Sequence, residues 1–144
     1  MVLYLHILFA CAWIGGSLFL MGIGLFFRSQ ETILGVYRVI GPFYGWYEAA
    51  MLVGLLVSGS YLFIASDLSS LLATSTHLGE LLRWKIVLAC LLTVITVIHF
   101  VIALRTHNKQ RTTVQNLISR GSSLMIVVVN FVILGVAIAL RSAL

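Results

Sequence analysis

Four titratable side chains interrupt long apolar stretches of this chain: His6, Glu48, Lys85 and His99. An ionisable group costs several kcal/mol in hydrocarbon, so one kept there marks a functional site. Imidazoles ligate metal ions and haem iron. A carboxyl beside an imidazole can pass a proton. An ammonium can hold a carboxylate. Of the other histidines, His77 and His107 fall in polar connecting segments, and His107 reads as solvated.

His6 and Trp13 are seven residues apart, which places both on one helix face with Ala10 and Ser17. Small residues beside an imidazole leave room for the edge of a flat cofactor. Lys85 falls at a depth similar to that of His6, and His77 belongs to the loop above them. This outer layer reads as a haem or metal site, with His6 as ligand and Trp13, Lys85 and His77 around the group. The alternative is an interfacial, hydrated His6 with Lys85 snorkelling outward.

His99 follows Lys85 by 14 residues, which is about 21 Å deeper on nearly the same helix face. Glu48 enters from the opposite side by a comparable distance, and Asn130 lies near that level. This inner layer reads as a proton relay or a metal-ligand pair of Glu48 and His99. Its alternative is a neutral Glu48 hydrogen-bonded to Asn130 or a hydroxyl. Axial ligands to one iron stand about 4 Å apart, two metal–imidazole bonds end to end. His6 and His99 therefore do not serve the same iron.

The elements that must position these groups are membrane helices. Hydrophobic residues make up 61% of the 144 residues and charged ones 9%, against about 25% charged in a soluble domain. Apolar runs predict helices over about 2–27, 43–66, 81–104 and 122–142, each near the roughly 20 residues that cross a bilayer. The first lacks a basic leader and is too long for a signal-peptide core, so it reads as a retained span. Segment 28–41 has a partial apolar face and reads as interfacial, with Pro42 opening the second helix. Tyr44, Trp46 and Tyr47 suit an aromatic belt. Cys11 and Cys90 read as small, buried packing residues.

The net charge of +5 reports topology, not a nucleic-acid surface. Arg28, Arg38, Arg105, Lys109, Arg111 and Arg120 flank one side, and Arg83, Lys85 and Arg141 the other. The positive-inside rule then puts both termini outside. The expected architecture is one all-α domain over 1–144, an integral membrane four-helix bundle, antiparallel up-down, N-out and C-out. No catalytic-triad order, Walker loop or dinucleotide-binding glycine motif is present.

The stretch Leu5-His6-Ile7 through Trp13-Ile14-Gly15-Gly16 resembles the first helix of the CopD and HemJ group of small membrane proteins. Tyr37-Arg38-Val39-Ile40-Gly41-Pro42, with Gly54 and Gly59, is similar to that group's second helix. Leu81-Leu82-Arg83-Trp84-Lys85-Ile86 resembles its lysine-bearing third. Together these cover about two thirds of the chain. The resemblance implies a bacterial inner-membrane protein that binds haem b, with His6 as ligand, Lys85 as an essential cation and protoporphyrinogen oxidation as the activity. A quinone or another membrane redox protein would take the electrons, and a homo-oligomer is compatible with such a bundle. The CopD side of the group implies copper uptake or resistance instead, with His6 as a copper contact. A cofactor-free structural subunit of a membrane complex is the third reading. The four methionines, Met1, Met21, Met51 and Met125, form no spaced soft-ligand motif.

Overall fold

A computed structural model describes residues 1–26, 29–105 and 113–142. Arg28, His107, Lys109 and Arg111 lie outside them. The described residues form helices only: α1 (Val2–Phe26), α2 (Gln30–Ala65), the single turn α3 (Ser69–Leu72), α4 (His77–Arg105) and α5 (Thr113–Ser142). Four segments are long and apolar enough to cross a membrane: Val2–Ile23, Val39–Ala65, His77–Ile102 and Gly121–Ser142. With every backbone bond closed inside its own segment, a helix is one of only two structures that hydrocarbon tolerates. The chain is an integral membrane protein.

Helices α2, α4 and α5 are longer than their apolar runs, and α1 matches its run to within a residue. The largest difference is in α2, which begins at Gln30 and runs through Pro42 instead of starting there. Its start is fixed locally. The Ser29 hydroxyl accepts from the Thr32 N–H at 3.5 Å, and Glu31 places negative charge in the first turn. Pro42 removes one internal hydrogen bond, and the turns on either side carry the helix across it. At the other end, α2 closes where Asp67 takes a left-handed φ of 46° and the Ser66 N–H bonds the Leu62 carbonyl at 3.1 Å.

The closest-packed pairs are α1 with α2 and α4 with α5; the two pairs meet through α2–α4 and α1–α5. A small core lies between them: Trp13, Leu52, Leu92, Ile126 and Val129. Residues early in α1 meet residues late in α2, His6 against Ser58 and Phe9 against Gly54, whereas Ser17 reaches Tyr44 near the start of the second span. A histidine–serine hydrogen bond joins each close pair. His6 Nδ1 lies 2.8 Å from Ser58 Oγ between α1 and α2. His99 Nδ1 lies 2.9 Å from Ser122 Oγ between α4 and α5.

Close approach of α1 and α2 depends on glycines of both helices: a methyl group at Gly16 of α1 would stand 3.0 Å from the Tyr47 ring. A methyl group at Gly54 would stand 2.9 Å from the Phe9 ring, and one at Gly59 3.2 Å from His6 Cε1. Gly15 on α1 has nothing within 4 Å of such a methyl. Two expectations are corrected here. Cys11 and Cys90 are exposed on the helix surface instead of buried, because each falls on the outward side of its helix. Tyr44 and Tyr47 turn inward instead of joining a belt: Tyr44 Oη lies 3.3 Å from Ser17 Oγ, and Tyr47 donates to the Ala12 carbonyl at 2.8 Å. A phenol that finds a partner inside the protein keeps its ring buried. Trp46 alone of the three is well exposed, stacked edge-on against Phe100.

Gly54→Ala should weaken the α1–α2 pair by about 1–3 kcal/mol through overpacking on Phe9, whereas Gly15→Ala should be nearly neutral. Unfolding both variants in mixed detergent micelles checks this contrast.

Candidate functional site

His6 stands one turn into α1, and its ring packs on Gly59 of α2. The Ser58 hydroxyl has a single proton to give, and that proton goes to the Gly54 carbonyl of its own helix at 2.6 Å. A serine bonding back to residue i−4 is an ordinary device in membrane helices. Ser58 Oγ therefore accepts from His6, and Nδ1 carries the hydrogen. A neutral imidazole protonated at Nδ1 leaves Nε2 as an open lone pair, the atom that ligates a metal or accepts a proton.

Lys85 lies within electrostatic reach of His6. The two sit on α1 and α4, which share α2 and α5 as principal neighbours and do not form a close pair themselves. Each side chain must turn toward the middle of the molecule for them to meet. Lys85 is half-buried, and no carboxylate among the described residues pairs with it. The site is thus an imidazole lone pair within electrostatic reach of an ammonium that has no carboxylate partner among the described residues. Below them Trp13 is 1% exposed and closes the core. His77, the first residue of α4, is exposed. It precedes Lys85 by eight residues, about 12 Å along the helix axis.

The inner layer divides. Glu48 is 4% exposed on α2. Trp13 Nε1 faces its carboxyl, but outside hydrogen-bond geometry, and Tyr44 is close by. His99 instead hydrogen-bonds Ser122 on α5. The structure gives Glu48 and His99 different partners. Asn130 is buried on α5, and its Nδ2 makes no hydrogen bond. Among the described residues no three of His, Cys, Asp and Glu gather as a metal-binding group.

Ser58 and Thr96 are site residues that the sequence reading passed over. Both carry a helical-spacing signal. Ser58 adjoins Gly59, which follows Glu48, Leu52 and Leu55 along one face of α2. Thr96 falls three turns beyond Lys85 on one face of α4. Hydroxyls in spans are common, however, and spacing alone does not single these out. Comparison with protein-family models, with curated proteins and with solved structures finds no match to this chain.

A double-mutant cycle on His6→Ala and Ser58→Ala should return a favourable coupling of about 0.5–1.5 kcal/mol, the range for hydrogen bonds between membrane helices. Coupling indistinguishable from zero would mean that the two side chains do not bond.

Proposed function

We propose that this chain is a membrane redox protein that binds haem b between His6 and Lys85, in an antiparallel up-down bundle with both termini on the outer side of the membrane. The commitment of the Ser58 proton to Gly54 supports this reading, because it leaves His6 Nε2 as a lone pair within electrostatic reach of that ammonium. A group that satisfies both must offer a Lewis-acidic centre and a carboxylate, and haem b carries the two together.

The donor set, an imidazole nitrogen and an ammonium, would suit haem iron and a haem carboxylate. His6 would supply the axial nitrogen, oriented by Ser58 in the way that ligating imidazoles are held by a second hydrogen bond. Lys85 would hold a propionate, or the carboxylate of a tetrapyrrole substrate. His6 on Gly59 and Phe9 on Gly54 fill the α1–α2 contact, so a flat group would enter from the seam between the two helix pairs, where Lys85 stands. Trp13 would floor the site and keep it dry. Bound haem would supply one-electron chemistry. A quinone or another membrane redox protein would exchange those electrons, consistent with the resemblance to the CopD and HemJ group.

The visible spectrum of the purified protein tests this. The expected result is a Soret band with sharp α and β bands on reduction, absent in His6→Ala. Ser58→Ala should weaken haem binding about 10- to 100-fold, the usual effect of removing the partner of a ligating histidine. Lys85→Met should also release haem more readily while the helical content stays the same. A colourless protein carrying stoichiometric copper, or full haem retention by His6→Ala, overturns the reading.

A further inference from the structure

Between α2 and α4 lies a second polar feature, distinct from the His6–Lys85 layer. A crevice of about 40 Å³ is lined by Gly45, Glu48, Ala49, Leu52, Thr96, Val97 and Phe100. Two of its lining side chains are polar and almost fully buried: Glu48 at 4% exposure and Thr96 at 2%. Thr96 Oγ1 has no hydrogen-bond partner, although Thr93, one turn earlier, donates to the Ala89 carbonyl at 2.8 Å. A threonine in a helix ordinarily satisfies itself in that manner. Trp13 Nε1, also without a partner, faces the Glu48 carboxyl from α1. Two helices thus present polar atoms to the crevice about 14 Å below the start of the second span at Val39, and a third turns the Trp13 N–H toward the Glu48 carboxyl.

An unpaired polar group in such surroundings costs about 1–3 kcal/mol. One left so on the wall of a cavity that also holds a buried carboxyl marks a place for a small hydrogen-bonding guest. A water molecule needs roughly 10–15 Å³ of this kind of space, so the crevice has room for about three. A metal cation is a poor guest. Six or more oxygens surround Ca²⁺ and Mg²⁺, whereas this lining offers two from Glu48 and one from Thr96, with the Trp13 N–H directing positive charge at the same carboxyl. The remaining lining is carbon.

We infer that the Glu48–Thr96 crevice is a proton-binding site, in which Glu48 takes up a proton through a few water molecules anchored by Thr96, while Trp13 faces the carboxyl from α1. The exchange balances as carboxylate plus hydronium giving carboxylic acid plus water. The groups near Glu48 are Trp13 from α1, Tyr44 on its own helix and Thr96 from α4; none carries a fixed charge. Lys85 lies 11 residues from Thr96 along α4, about 17 Å away. His99, three residues on, bonds Ser122 of α5. The site stands independently of haem binding at His6.

The chain makes the test clean. It has four acidic residues, and Glu31, Asp67 and Glu80 are exposed, leaving Glu48 as the buried carboxyl. Infrared difference spectra of proteoliposomes, recorded across pH steps, should show one buried carboxylic-acid carbonyl band. Glu48→Gln, which keeps the side-chain volume, should lose that band; circular dichroism checks that it folds. Thr96→Val should keep the band and shift its frequency, because the water it reports has lost its anchor. His6→Ala, which should carry no haem, should still show the band, so failure at one site is distinguishable from failure at the other. A band that persists in Glu48→Gln, no titrating band in the unaltered protein, or an unshifted band in Thr96→Val overturns the proposal.

Discussion

Hydrocarbon offers no hydrogen bonds, and that constraint orders the interior of this protein. Every polar group placed in a span must find its partner within the protein or pay the full desolvation cost. Most do so at short range. Ser58 bonds the Gly54 carbonyl, Thr93 the Ala89 carbonyl, and Tyr47 reaches across to Ala12. His6 and His99 are each tied to a serine on the neighbouring helix. The groups that break the rule are few: the Lys85 ammonium, Trp13 Nε1, Thr96 Oγ1 and Asn130 Nδ2. Lys85, Trp13 and Thr96 belong to the two places where a ligand is proposed.

The same constraint explains why the helices pair as they do. Lipid is as apolar as the helix surface, so apolar burial gives little drive for association, and close backbone approach with interhelical hydrogen bonds takes over. In α1–α2 both devices act at one spot. Gly59 admits the His6 ring, Ser58 holds its nitrogen, and Gly54 admits Phe9 one turn away. That arrangement fixes both the position and the tautomer of the imidazole. Packing and chemistry at this end are therefore the same contact. Between the two pairs there is less to hold the helices together, and the Glu48–Thr96 crevice lies along that seam.

Much of this was legible in the sequence because a membrane span needs only length and apolarity to be recognised. The four spans follow from the runs, and the nearness of His6 to Lys85 follows from counting residues in from each end. Other features depend on rotation about the helix axis, which a nearly all-apolar span does not encode. That is why Cys11 and Cys90 face outward and why Tyr44 and Tyr47 face inward against expectation. The separate partners of Glu48 and His99 have the same origin: similar depth, different azimuth. The start of α2 was missed for another reason. Pro42 is a strong local signal for a helix start, and the Ser29 cap with Glu31 behind it overrides that signal twelve residues earlier.

The account rests on the protonation of a single ring. Nitrogen-15 solid-state NMR of the protein in lipid bilayers, with labelled histidine and His6→Ala for assignment, reads that ring directly. Without added haem, His6 should show a protonated Nδ1 and an unprotonated, pyridine-like Nε2. A His6 signal with Nε2 protonated and Nδ1 bare would remove the lone pair on which the ligand site depends, and with it the proposed role of this end of the molecule.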